Sequence, residues 1–280
     1  MNNTHANPLN SQDLAQARQV QRRDDAFAEK AQTKIWQEEP AADNPYQAES
    51  VYLHGFELYD LMANASFSEV FYLLFKGELP SAAEREILEK LMIGLINPGP
   101  RHPATRAAMN TGVGKTNPVH ILPISTVVMG GERDCAGAIE SIMRFFRKNF
   151  RRPAGEIASA FIAETHGDWA ELPGFGQAYG GIDIQAEKLA AAMSALPASG
   201  DILRWGSELA ERLKGVDGGW RTTGVVAAVF ADLGIHPKLG GPLMQLMSAP
   251  GLLAHGFEYF TKPLTAMPYV KDEDYVIQNP

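Results

Sequence analysis

Residues 66–80 read Ser-Phe-Ser-Glu-Val-Phe-Tyr-Leu-Leu-Phe-Lys-Gly-Glu-Leu-Pro, and residues 81–95 continue Ser-Ala-Ala-Glu-Arg-Glu-Ile-Leu-Glu-Lys-Leu-Met-Ile-Gly-Leu. Each block opens on a serine followed three residues later by a glutamate: Ser66 with Glu69, and Ser81 with Glu84. That spacing is a capping box. The serine oxygen accepts the N–H of the third residue, and the glutamate reaches back to the N–H of the serine. Val70 to Phe75 carries no polar residue except the Tyr72 hydroxyl, which predicts a helix buried on every side. Gly77 and Pro80 end it. In the second block Ile87, Leu88, Leu91, Met92 and Leu95 fall on one face of a helix. Two such helices joined by a short break predict a helical hairpin.

Working outward, helices are expected over Thr105–Gly112, Ile121–Met129, Ala138–Phe150, Gln185–Leu196 and Ile202–Leu213. A further one is marked by Val226, Val229, Phe230 and Leu233, and the last spans Met244–Phe260 with a break at Pro250. Asn97–His102 holds two prolines and a glycine and reads as a loop, as does the glycine-rich Leu172–Asp183. Upstream, Asn2–Gln12 is polar and expected to fray. Asp13–Trp36 reads as an exposed helix and Pro40–Ser50 as a linker. Apart from a short strand near Val51–Leu53, no alternating pattern is present, and there is no internal repeat. The fold class is mainly α.

The chain has 280 residues, enough for about two domains or one large one. Apolar residues make up 45% and charged residues 21%, as in soluble globular proteins. Twenty-five basic against thirty-three acidic residues give a charge of −8, which argues against a general nucleic-acid binder. The single cysteine, Cys135, excludes an internal disulfide and multi-cysteine zinc sites, and it fits a reducing compartment. No apolar run approaches the roughly 18 residues of a membrane span, and the first twenty residues lack a secretory pattern. A cytoplasmic protein is expected, with no membrane partner.

Few residues suggest chemistry by spacing alone. Gly114-Lys115-Thr116 looks like the end of a phosphate loop, but the required upstream glycine is Met109. A helix terminus is the better reading. Arg144, Arg147, Lys148, Arg151 and Arg152 place five cations in nine residues, either a phosphate-binding face or a solvated helix C-terminus favoured by the macrodipole. The histidines show no metal-ligand spacing, so no metal is expected. No serine-hydrolase elbow occurs. Cys135 has no neighbouring histidine in sequence and reads as a small buried thiol. Asp217 stands between Gly215 and Gly218-Gly219 just before a helix, as a general base or as a helix cap.

Residues 53–80 resemble the citrate synthase superfamily in the spacing of Gly55, Asp60, Leu61, Ser66, Phe67, Glu69, Val70, Leu73, Leu74, Gly77 and Pro80. Further blocks follow in the family's order: Gly137-Ala138, Pro173-Gly174-Phe175-Gly176 with Tyr179 and Asp183, Val216-Asp217-Gly218, and Gly251–Glu258. The Val-Asp-Gly wording and compact length are closer to citryl-CoA lyases, and to the matching domain of ATP-citrate lyase, than to long citrate synthases. The resemblance implies a large helical domain (residues 51–148 and 224–280) and a small one (149–223) with a cleft between them, preceded by an N-terminal extension (1–50). It also implies a homodimer, or pairing with a paralogue, and a coenzyme A thioester and a keto acid or tricarboxylate as ligands.

Such chemistry needs a carboxylate for the weakly acidic α-proton, donors for the enolate and ketone oxygens, and arginines for the substrate carboxylates. The resemblance makes Asp217 the base and places Gln177 where the family has histidine. Gly174, Phe175, Gly176 and Tyr179 fall on the thioester-binding block. Two family arginines are replaced by Ala178 and Gln185, a third falls at Ser248, and a second histidine falls near Cys135. Arg101, His102, Arg106 and His120 are the candidates to replace the lost substrate contacts. Losing an oxyanion donor typically lowers rate by about 10²–10³. Two functions are therefore weighed: an enzyme with a non-standard residue set, and a catalytically inactive binding or partner subunit.

Overall fold

The computed structural model describes residues 30–165, 169 and 172–278. The polar segment 2–12, most of the helix expected over 13–36, and His5 and His166 lie outside the described residues. By internal contacts the chain separates into a unit ending at Tyr59 and a unit starting at Asp60.

The first unit is an antiparallel sheet of β1 (Trp36–Pro40), β2 (Ala48–Leu53) and β3 (Phe56–Glu57), in that order. The strand expected near Val51–Leu53 is thus present and longer. The linker expected over 40–50 is instead a hairpin turn and the start of β2, with Ala41 N–H donating to Gln47 O at 2.9 Å. Trp36 pairs with Leu53 and Glu39 with Ser50, after which a bulge shifts Pro40 onto Ala48. Proline lacks the ladder N–H and is tolerated because β1 is an edge strand. All five β1 residues are exposed, so no apolar alternation betrays the strand in sequence. Between β2 and β3, His54 and Gly55 both have positive φ (49° and 87°), the mirror-image turn that matches strand twist.

Eleven α-helices occur among the described residues. After α1 (Leu58–Asn64) come α2 (Phe67–Lys76) and α3 (Ala82–Leu95), the predicted hairpin. Both capping boxes form: Ser66 N–H donates to Glu69 at 2.7 Å and Ser81 N–H to Glu84 at 2.9 Å. The hydrogen bonds from Ser66 hold the Glu69 carboxyl below its ordinary pKa. The Tyr72 hydroxyl donates to Glu84 at 2.8 Å and joins the two helices. Ile87, Leu88, Leu91 and Leu95 are buried as the spacing predicts. The all-round burial expected for α2 is not found. Tyr72 and Leu73 face the core, while Phe67 is 76% exposed and Leu74 is also exposed.

The rest comprises α4 (Pro103–Val113), α5 (Ile121–Met129), α6 (Ile139–Asn149), α7 (Ala154–Thr165), α8 (Ile184–Ser194), α9 (Asp201–Leu213), α10 (Thr222–Asp232) and α11 (Pro237–Phe260), with a two-residue ladder of β4 (Phe175–Gly176) and β5 (Gly219–Trp220). Helix α10 is the centre: every residue from Thr223 to Ala231 is buried. Its apolar run on all sides is what a helix surrounded by helices requires. The break expected at Pro250 does not occur. Helix α11 continues through Pro242 and Pro250, and the N–H of Gly251 donates instead to Ile96 O on the α3 terminus at 2.9 Å. Among the described residues no helix is long and apolar enough to cross a membrane.

Candidate active site

The site is organised by the β4–β5 ladder. Phe175 pairs with Trp220 and Gly176 with Gly219, which joins two glycine-rich segments far apart in sequence. The Phe175 ring stacks on Trp220 at 4.6 Å and meets Phe146 edge-on at 5.8 Å. Gly174 lies against Gly224 of α10, where a Cβ on Gly224 would come within 2.0 Å of the Gly174 carbonyl oxygen. Only paired glycines allow that approach. Beyond the ladder, Tyr179 and Gly180 form a tight turn closed by Ala178 and Gly181, with Tyr179 96% exposed at its tip.

Gln177 and the Asp217 segment are thereby neighbours. The Gln177 side-chain N–H donates to Val216 O at 3.1 Å. Asp217 follows at the end of a short turn (Lys214–Val216), exposed and left-handed with φ 57°. The alternative reading of Asp217 as a helix cap is corrected here. Helix α10 starts five residues later and its N-cap position is Arg221.

A cavity of about 710 Å³ opens beside the ladder, lined by Gly174, Gln177, Asp134, Arg133, Ser141 and Arg221 among others. Phe175 and Gly176 also border it, with the Phe175 side chain buried; Asp217 does not line it. The Arg221 guanidinium clasps Asp134, with Nε donating to Oδ1 at 2.9 Å and Nη2 paired with Oδ2. Its Nη1 donates to Gln177 O at 2.6 Å, and its backbone N–H to Gly174 O at 3.0 Å. Sequence reasoning missed both residues. The one available signal was an arginine four residues after Asp217 at the entry to an apolar helix.

Cys135 is next to Asp134, and the tertiary structure supplies the histidine that its sequence surroundings lack. The His102 Nε2 lies 3.6 Å from the Cys135 Sγ and 3.4 Å from Asp134 O. His102 is also the cap of α4: its Nδ1 accepts the Ala104 N–H at 3.1 Å, which places the ring proton on Nε2. The imidazole therefore cannot take the thiol proton without giving up the cap. Burial lowers the His102 pKa against the opposing pull of Asp134, and burial together with Asp134 raises that of Cys135. The pair is two neutral groups.

Of the four proposed substrate contacts, His102 alone reaches the cavity wall, through Asp134. Arg101, Arg106 and His120 are exposed and do not line the cavity. Lys115 of the phosphate-loop-like stretch donates to Phe260 O and Lys262 O, completing the end of α11. In the cationic stretch, Arg144 pairs with Glu140 at 2.7 Å, Arg147 donates to Ile235 O at 2.7 Å and Arg152 to Asn149 at 3.3 Å. His255 contacts Asn97 at 3.2 Å, and His236 caps α11. No group of three metal-ligating side chains occurs among the described residues.

No family model and no curated sequence matches the chain. Solved structures do. A citryl-CoA lyase from Hydrogenobacter thermophilus superposes with a TM-score of 0.72 at 26% identity, over 89% of this chain and 96% of that one. An ATP citrate lyase from Methanothrix soehngenii, in complex with citrate and coenzyme A, matches at a TM-score of 0.71 and 16% identity, over 98% of this chain but 45% of its own. A citrate synthase from Thermoplasma acidophilum with carboxymethyl coenzyme A and oxaloacetate gives 0.59 at 16% identity, over 78% and 58%. The chain has the citrate synthase superfamily fold. Within that superfamily it is similar to a citryl-CoA lyase over nearly the whole of both chains.

Proposed function

We propose that this protein makes or cleaves the carbon–carbon bond between an acyl-CoA and a 2-keto acid, with a citryl-type thioester as the joined form. The observation that carries the reading is the β4–β5 ladder, which sets the Gly174–Gln177 wall of the cavity against the turn that carries Asp217, outside that wall until the lobes close. In the condensing direction Asp217 takes the α-proton of the thioester, the enolate carbon bonds to the ketone carbon as the C=O π pair moves to oxygen, and that oxygen takes a proton from solvent water. In the cleaving direction the hydroxyl proton passes to solvent water as the C–C bond breaks, and a protonated Asp217 gives its proton to the enolate carbon. Gln177 donates to the thioester oxygen once its amide leaves Val216 O. It stabilises charge there but supplies no proton. The backbone of Gly174–Gly176 and the exposed Tyr179 receive the coenzyme. No metal is needed for these steps. The small lobe, about residues 149–223, closes on the large one over the ligands.

A second reading, a binding subunit without activity, is supported by the Gln177 amide being occupied by Val216 and by the neutral Cys135 thiol near the family histidine position. Incubation with citryl-CoA and detection of oxaloacetate separates the two. We expect turnover in the native protein and loss of at least about a hundredfold in Asp217→Asn. Asparagine tolerates the left-handed backbone there, so the variant keeps its fold. Coenzyme A binding without turnover in either direction would establish the second reading instead.

The protein is further proposed to work as a homodimer in the cytoplasm. Phe67, Ile93, Ile96 and Leu246 are exposed around an apolar groove of about 410 Å³, a face that a second copy would cover.

A further inference from the structure

We infer that Arg221 is the carboxylate anchor of this cavity, and that Asp134 holds it as an internal substitute until a ligand carboxylate takes its place. The inference rests on the function proposed above and names the residue that recognises the acid. The residues at the family's arginine positions, Ala178, Gln185 and Ser248, carry no charge. Arg221 does, and it is on the cavity wall.

Three features mark it as a built receptor. Its guanidinium meets Asp134 through two parallel contacts, the fork geometry by which arginine binds a free carboxylate. One N–H of its Nη1 and its backbone N–H are tied to Gln177 O and Gly174 O, so the fork is aimed before any ligand arrives. The two partners also differ in freedom. The Arg221 side chain is 16% exposed and sits between the ladder and α10, whereas Asp134 is 48% exposed on the α5–α6 loop. Asp134 holds a left-handed φ of 57° on that loop, outside any helix or strand. Exchange of one carboxylate for another conserves charge in the cavity. Arg133, which also lines it, offsets the neighbouring Glu132.

The intramolecular pair taxes binding by the fraction of molecules in which Arg221 is already occupied. Calorimetry on the full chain, with citrate and separately with coenzyme A, tests this. Asp134→Asn is expected to bind citrate about tenfold more tightly than the native protein. Arg221→Gln is expected to lose about a hundredfold in citrate affinity, and Arg221→Lys, which keeps the charge but not the fork, about tenfold. Coenzyme A affinity should be unchanged in Asp134→Asn, and in the Arg221 variants it should fall far less than citrate affinity. The Asp134 variant leaves Arg221 and its backbone contacts in place, so it tests the exchange even if loss of the arginine unfolds the site. Native citrate affinity in both Arg221 variants, or no tightening in Asp134→Asn, would overturn the inference while leaving the proposed function standing. Failure of the native protein and Asp134→Asn to bind either citrate or coenzyme A would remove the functional reading and this inference with it.

Discussion

His102, expected as a substrate contact, also has a structural task as the cap of α4. Its Nδ1 is committed to the Ala104 N–H, so the ring stays neutral beside the Cys135 thiol. Burial lowers its pKa below the ordinary value of about 6.5. A lowered pKa means that the unfolded chain binds the proton more readily. The resulting stability is fully present above about pH 6.5 and is lost as pH falls through the folded value. His102→Asn retains a capping oxygen but cannot titrate. We expect its melting temperature to match the native protein near pH 8 and to fall less between about pH 7 and pH 5; equal falls in both would refute the assignment. The Asp217 segment is singled out in sequence by its glycine neighbours and by the family spacing, and the structure sets it next to Gln177. The Asp134–Arg221 pair was not legible in sequence, because its members are 87 residues apart and meet only in three dimensions.

At the scale of elements, the hairpin α2–α3 was legible because both capping boxes and the apolar face are local signals. The edge strand β1 was not, since none of its residues is buried. Nor was the continuity of α11, where a partner carbonyl from the α3 end takes up the N–H that the proline kink displaces. The contact between the β4 turn and α10 is a close backbone-to-backbone constraint on the site. A methyl group on Gly224 would press on the Gly174 carbonyl, so Gly224→Ala should cost about 1–3 kcal/mol in urea unfolding and weaken ligand binding as the turn shifts. Gly215→Ala, where a Cβ meets nothing within 4 Å, should change stability by less than about 0.5 kcal/mol. Comparable losses in the two would argue against the close approach.

For the whole molecule, the apolar residues left uncovered set the next question. The sequence of α2 predicts burial on every side, yet Phe67 is 76% exposed, and Ile93, Ile96 and Leu246 are also exposed. A second copy of the chain would complete the burial, as the common two-fold arrangement of identical subunits allows. Light scattering is expected to give twice the single-chain mass. Phe67→Glu combined with Ile93→Glu should return it to one chain, because buried unpaired carboxylates are strongly disfavoured. A native protein of single-chain mass would rule the dimer out and leave the surface for another partner.

The amino-acid sequence by itself determined the mainly helical class, the α2–α3 hairpin, and the segments that carry Gln177 and Asp217. Capping, periodicity and glycine placement act within a few residues of one another and need no knowledge of the rest of the chain. Only the tertiary structure decided which charges face the cavity. It sent Arg101, Arg106 and His120 to the surface, brought His102 to Cys135, and closed Arg221 on Asp134. Those outcomes depend on how helices far apart in sequence pack around α10, a matter of shape and burial that no local pattern encodes.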